Sequence, residues 1–433
     1  MINKIHKIDA LQGLKQLNSN SIDCIMTSPP YWALRDYGTA EWVGGDKDCN
    51  HIEYVAPSNF KKTKTDDKWK GFRSDKYLNQ PQFKPTKNIC KCGAKRKDLQ
   101  LGLEPTFNEY ISKLCDIFDE AKRVLKDTGT CWVNIGDTYS ATRWTNNENS
   151  GQPMNKFKDG WRGINPIKDT GNIPDKCLVM IPFRFAIEMV NRGWILRNTI
   201  IWHKPNCMPS SAKDRFTVDF EYVFFFVKQK KYFFETQYDG FLSNDKTYPS
   251  INTKQNIYAV SNNRNRAGGD MDLGRNKRTV WQICPQPFPE AHFAVYPEEL
   301  CETPLKSGCP EFVCVKCGKA REKIIDYERE QTRPALESKY SDDVYVNSNR
   351  PMGLAKRIMA KPIEKGYTQC QCNAEFKGGI VLDMFSGAGT TALVSLKQNK
   401  RFIGFEINQQ YIDISNKRLK PYLEQTKLTE MII

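Results

Sequence analysis

Apolar and polar positions fall into blocks along the chain, and each block predicts an element. Residues 3–8 read as a short strand, with a helix, "ALQGLKQL", after it. "SIDCIMTS" is a second short apolar run that ends at two prolines. "FNEYISKLCDIFDEAKRVL" has apolar residues at helical spacing, with Asp127 and Gly129 closing it. "TCWVNIG" reads as a buried strand, "IPFRFAIEMVNRG" as a helix and "WILRNTIIWHK" as a strand. "FEYVFFFVKQKKYFFE" predicts a pair of strands. The tail "GGIVLDMFSGAGTTALVSLKQNKRFIGFEINQQYIDISNKRL" reads strand, Gly turn, helix, strand, helix. Between these blocks, residues 44–100, 140–172 and 236–279 are polar, and residues 310–378 carry cysteines and few apolar runs.

Composition narrows the picture. Lys and Arg exceed Asp and Glu by 15 in 433 residues. That excess suits a polyanionic partner, most simply nucleic acid, although a basic protein without one has the same composition. No apolar run is long enough to span a membrane. "MINKIHKIDALQGLKQL" lacks the apolar core of a signal peptide, so a cytoplasmic location is expected. There the 15 cysteines are core thiols or metal ligands rather than a disulfide framework.

The tail carries a candidate nucleotide site. The strand "IVLDMF" runs into "SGAGTT", which opens a helix, and the next strand, "RFIGFE", ends at Glu406. Glycines let a backbone approach a ligand closely, and an acid ending the following strand can accept from ribose hydroxyls. The third glycine of the dinucleotide fingerprint is missing; with Asp383, Phe385 and Glu406 in register a nucleoside-type cofactor is expected, a plain helix cap being the alternative. The chain stops where such a fold should continue. Its missing strands are found at the other terminus, in "NKIHKIDAL" and "DCIMTSPPY", so the domain reads as circularly permuted.

"TSPPYW" ahead of "DMFSGAGTT" resembles the amino-methyltransferases of DNA in the permuted, beta-class arrangement. "LGLEPTFNEYISKL", "WVNIGDTY", "WILRNTIIWHKPN", "DRFTVDFEYVFFFVK", "KRTVWQI" and "AHFAVYPEEL" are similar to successive blocks of that family. The resemblance implies methyl transfer from S-adenosylmethionine to the exocyclic amine of cytosine or adenine in double-stranded DNA. Its implied fold is α/β: a circularly permuted Rossmann-like methyltransferase sheet with helices on both faces. Two polar, zinc-stabilised insertions and a target-recognition segment would be added to that sheet.

The resemblance assigns Ser28, Pro29, Pro30 and Tyr31 to catalysis. An exocyclic amine is a poor nucleophile because its lone pair is delocalised into the ring. Hydrogen bonds accepted from it by the Ser28 hydroxyl and the Pro29 carbonyl would localise that pair. The prolines stiffen the turn, and Tyr31 can stack on a flipped base. Trp32 either assists or packs in the core. By the same resemblance Asp9, Phe293, Pro297, Asp383, Phe385, Gly387, Gly389, Thr390 and Glu406 hold the cofactor, with Glu406 on the ribose. No Pro-Cys pair for attack on a ring carbon is present. Ser rather than Asp before Pro-Pro-Tyr favours cytosine N4, with adenine N6 the alternative. A zinc-bearing DNA-binding protein without catalysis, and an enzyme acting on RNA or a protein amide, are the competing readings. A cognate restriction endonuclease is a possible partner.

Two groups of soft ligands have the composition of zinc sites: Cys49, His51, Cys90 and Cys92, and then Cys314, Cys317, Cys370 and Cys372. Loop thiols are the competing reading. The expected divisions are 1–43, 44–100, 101–205, 206–280, 281–309, 310–378 and 379–433, with target recognition in 206–280.

Overall fold

The computed structural model describes residues 1–32, 41–46, 48–50, 90, 92–97, 100–140, 173–239, 275–286, 295–331 and 358–432. The chain divides into two compact units, one of residues 1–30, 111–140 and 172–433, the other of residues 31–110 and 141–171.

The first unit is built on an eight-stranded sheet. Its strands, in chain order, are β1 (Lys4–Lys7), β2 (Ile22–Thr27), β3 (Leu125–Ile135) and β4 (Ile195–His203), then β5 (Phe220–Val227), β6 (Val280–Gln282), β7 (Ile380–Asp383) and β8 (Arg401–Glu406). Their order across the sheet is β1-β8-β7-β2-β3-β5-β4-β6. Strand β5 runs antiparallel to both neighbours, and every other pairing is parallel. The two strands from the C-terminal tail therefore lie between two strands from the N-terminus.

Both faces of the sheet are covered, which explains why "FEYVFFFV" is apolar without a break. Val223, Phe225 and Val227 share a core cluster with Leu300, Leu305 and Val394, from helices Glu298–Gly308 and Thr390–Lys397. Their neighbours Phe224 and Phe226 point to the other face. There Phe226 meets Phe185 of helix Ile181–Asn191, and Trp194, edge-on. Strand β8 repeats the alternation. Phe402 packs with Leu393 and Ile412, whereas Phe405 lies so close under Gly13 that a Cβ there would sit 2.8 Å from its ring.

Three expected elements differ. Helix Phe107–Val124 runs directly into β3, so Asp127 and Gly129 do not close it but lie within the strand. The ladder passes from Ile22–Leu125 to Cys24–Thr130 across an irregularity, and those two residues fall in it. A Cβ at position 129 would come within 2.5 Å of Leu125. The "KYFFE" run is not a second strand. Its Phe233 and Glu235 N–H groups donate to the carbonyls of Thr128 and Ser307 rather than to a ladder. Lastly, segment 310–378 contains an antiparallel hairpin, Lys323–Gln331 with Ile358–Tyr367, that its composition did not announce.

In the second unit a short antiparallel pair, Glu41–Val43 with Lys95–Lys97, is formed. Trp32 is buried there, with its ring edge-on to Phe107 and Nε1 donating to the Glu104 carbonyl at 2.9 Å. Among the described residues no helix is long and apolar enough to cross a membrane.

Candidate active site

Parallel strands gather their carboxyl ends at one edge of a sheet, and ligands of such sheets bind there. At that edge of the first unit, Asp383 ends β7, Glu406 ends β8, Ser28 follows β2 and Asn134 is one residue from the end of β3. Lys7 is in register with Glu406, which brings Asp9 to the same edge.

The turn after β7 is bent by glycine. Gly387 and Gly389 have φ of +48° and +76°, backbone that L-residues rarely adopt. A Cβ on Gly387 would meet nothing within 4 Å, so the turn borders open space there. The carboxylate of Glu406 fixes the turn from the neighbouring strand. Its Oε2 accepts from Gly387 N at 2.9 Å and its Oε1 from Asn408 N at 2.8 Å. Burial raises its pKa above the usual range, against the pull of those N–H groups. The Ser386 hydroxyl is buried without a partner among the described residues.

Asp383 is 2% exposed and collects three donors. Its Oδ1 accepts from Thr27 Oγ1 at 2.7 Å and Phe385 N at 3.1 Å; its Oδ2 accepts from Tyr296 OH at 3.0 Å. Tyr296 OH also lies 2.6 Å from Thr391 Oγ1. Burial pushes the Asp383 carboxyl up as well. Thr27 is thus clamped to the glycine turn, and Ser28 is the next residue.

Ser28 belongs to a chain of hydrogen bonds. Its Oγ donates to Asn134 Oδ1 at 3.3 Å. Asn134 Nδ2 donates to Glu221 Oε2 at 3.1 Å and to the Tyr222 carbonyl at 3.2 Å. Lys204 donates to the other Glu221 oxygen. Because Nδ2 is committed to two acceptors, Oδ1 must face Ser28. With its proton given to Asn134, the Ser28 oxygen keeps lone pairs that can accept.

Comparison with known proteins gives the chain a family. The family described as DNA methylase, of the N6/N4 type, matches residues 22–417. The chain belongs to that family. The methylase is 28% identical over 412 residues to Type II methyltransferase M.Cfr9I of Citrobacter freundii, covering 95% of this chain and 86% of the relative. It is 27% identical over 415 residues to Type II methyltransferase M.SmaI of Serratia marcescens, covering 95% and 88%. A solved structure titled PvuII DNA methyltransferase (cytosine-N4-specific) aligns over 96% of this chain and 85% of that one, with 15% identity and a TM-score of 0.45.

The methylase brings Ser28, Pro29, Asp383, Phe385, Gly387, Gly389, Thr390 and Glu406 together within its first unit. Asp9 serves as N-cap of helix Ala10–Lys15, with Oδ1 accepting from Leu11 N and Gln12 N at 3.0 and 3.2 Å. Pro297 is N-cap of helix Glu298–Gly308. A cavity of ≈ 320 Å³ lined by Tyr296, Glu298, Thr390 and Arg418 adjoins that helix start. Tyr31 is half-buried in the second unit. Phe293 and His51 lie outside the described residues. Cys49, Cys90 and Cys92 converge in the second unit, and Cys314, Cys317, Cys370 and Cys372 in the first; within each group the sulfurs lie within 4.8 Å of one another.

Sequence reasoning missed Thr27, Tyr296, Thr391, Asn134, Glu221 and Lys204. Asn134 did leave a signal, since a polar amide inside the apolar run "CWVNI" needs partners if it is buried, and it is 1% exposed.

Proposed function

We propose that the methylase transfers a methyl group from S-adenosylmethionine to N4 of a cytosine flipped out of double-stranded DNA. The observation that carries this reading is the bond between Thr27 and Asp383, because it makes the Ser-Pro-Pro turn and the glycine turn one wall. The residues fit the cofactor: an acid ends each of two adjacent strands, and open space lies above Gly387. Bound S-adenosylmethionine would supply an electrophilic methyl group. Glu406 would accept from its ribose hydroxyls, and Asp9 and the 385–390 turn would hold the rest of the nucleoside.

At the other end, the Ser28 lone pairs and the Pro29 carbonyl accept from the target amine, which localises its nitrogen lone pair. Tyr31, two residues after Pro29, would stack on the extruded base. A hydroxyl at position 28 supports cytosine N4; adenine N6 is the second reading. In this reading the sheet is a circular permutation of the methyltransferase order, and both cysteine clusters hold structural zinc. The names of the relatives support a modification enzyme paired with a restriction endonuclease.

Ser28→Ala tests the mechanism. Loss of one neutral hydrogen bond of about 0.5–1.5 kcal/mol should slow single-turnover transfer about 2- to 13-fold, with cofactor affinity unchanged. An unaltered single-turnover rate removes Ser28 from the chemistry. Glu221→Gln should mimic part of that loss, because a second amide lets Asn134 turn its Nδ2 toward Ser28 and occupy a lone pair.

The DNA face is proposed at 206–280, of which 240–274 lie outside the described residues. Lys213 and Arg215 stand in the loop between β4 and β5 beside Phe216, which is 96% exposed. Cations there suit phosphates, and an exposed ring suits insertion between bases. With six phosphate contacts, affinity should fall about 10³-fold between 50 and 200 mM salt. A flat salt profile places the positive excess elsewhere.

A further inference from the structure

We propose that Cys314, Cys317, Cys370 and Cys372 bind one zinc ion through four thiolates, and that this ion is the clasp that closes segment 310–378 onto the foot of β7. The inference rests on the zinc part of the reading above and is independent of methyl transfer.

Geometry supports a metal. The four sulfurs come from two turns 53 residues apart in sequence (317 to 370) yet lie within 4.8 Å of one another. A tetrahedral zinc with bonds of about 2.3 Å needs sulfurs about 3.8 Å apart, so a small inward movement completes the site. The first turn is shaped as a ligand loop. Cys314 N donates to the Lys319 carbonyl at 3.0 Å and Gly318 N to the Cys314 carbonyl at 2.9 Å. Gly318, at φ +71°, makes the reversal that a side chain would resist. The second turn reverses at Asn373, φ +48°.

Among the described residues the two turns pair through Val313–Lys377 and Cys314–Phe376, with Val315 N donating to the Glu375 carbonyl at 3.0 Å. Soft, closely spaced thiolates select zinc over the hard divalent cations. The position of the site gives the ion its role. The Gly318 carbonyl accepts from Lys126 Nζ at 3.3 Å, and the same Nζ donates to Asp23 Oδ1 at 2.6 Å. Asp23 Oδ2 in turn accepts from Ile380 N, the first residue of β7, at 2.8 Å. Gly379 N donates to the Pro310 carbonyl at 3.0 Å, and a Cβ on Gly379 would sit 2.8 Å from Cys309 Sγ. The metal turn is therefore linked through two side chains to the start of the strand whose other end is Asp383.

Full-length protein purified without added metal is the test material. Elemental analysis should find one fewer equivalent of zinc per chain in the C370S/C372S variant than in the wild type. Iodoacetamide followed by peptide mass spectrometry should leave these four cysteines unlabelled until a strong chelator is added. The same chelation should open protease sites within 310–378. Equal zinc in variant and wild type, labelling without chelator, disulfide-linked peptides from this group, or iron in place of zinc would each overturn the assignment. Unchanged proteolysis after zinc removal would overturn the clasp. The labelling arm uses wild-type protein only, so a variant that fails to fold does not leave the question open. None of these measurements reads methyl transfer.

Discussion

Glu406→Gln should weaken S-adenosylmethionine binding about as much as Glu406→Ala, by roughly 10- to 150-fold. A hydrogen bond to a charged group contributes about 1.5–3 kcal/mol, and the side chain is also committed to two N–H groups, Gly387 at 2.9 Å and Asn408 at 2.8 Å. An amide offers one oxygen and turns its NH2 toward the other donor, so the conservative change also disorders the turn. Isothermal titration with cofactor alone is the measurement. Affinity within twofold of wild type in the Gln variant would end the ribose reading of this acid.

A pH dependence follows from the same side chain. Burial holds the Glu406 pKa above the ordinary glutamate value. Raised means that the folded, cofactor-free enzyme binds this proton at a pH where a solvent-exposed glutamate has already lost it. Cofactor affinity should therefore decline on acidification earlier than ordinary glutamate titration would give, and Glu406→Ala should flatten that decline.

Asp383→Asn should cost more stability than any other single isosteric change in the sheet edge. Thr27 Oγ1, Phe385 N and Tyr296 OH all donate to its two carboxylate oxygens. The amide presents one acceptor atom, so at least one buried donor loses its partner, and an amide hydrogen is pointed at it. Each unsatisfied buried group costs about 1–3 kcal/mol, so a loss of about 1–3 kcal/mol is expected, against a typical domain stability of about 5–15 kcal/mol. Chemical denaturation should show the midpoint falling with the slope unchanged. A variant as stable as wild type would mean that these three donors are not held by Asp383. Cofactor binding should also weaken, because Phe385 N anchors the first step of the turn.

Much of the sheet was legible because its strands are buried on both faces. A run such as "FEYVFFFV" has few other uses, and "IVLDMFSGAGTT" places an acid, a glycine turn and a helix start in sequence. The candidate site was legible where one motif carried it, as with Ser28, Gly387 and Glu406. It was illegible where two distant single residues meet. Tyr296 reaching Asp383 and Glu221 reaching Asn134 leave no local pattern, because each is set by strand order rather than spacing. Trp32 shows the opposite limit. Its neighbours in "SPPYW" suggested a site, yet its burial against Phe107 and its bond to Glu104 make it a core residue. The strand expected in "KYFFE" failed for a related reason. Aromatic alternation marks a surface that packs on something, and Tyr232 and Phe234 pack on Phe225 from an extended loop without joining the ladder.

The placement of β7 and β8 between β1 and β2 also governs how the chain can be made. Thr27 and Asp383 are 356 positions apart, and β1 pairs within the sheet with β8 alone. A ribosome delivers residue 27 long before residue 383. At about 5–20 residues per second, the N-terminal strands wait roughly 20 to 70 seconds for their partners. Through that interval β2 presents an open, apolar edge to the cell, which is a surface for chaperones to hold. On the proposed reading of the glycine turn, a nascent chain has no complete cofactor site until residues 383–406 have been made.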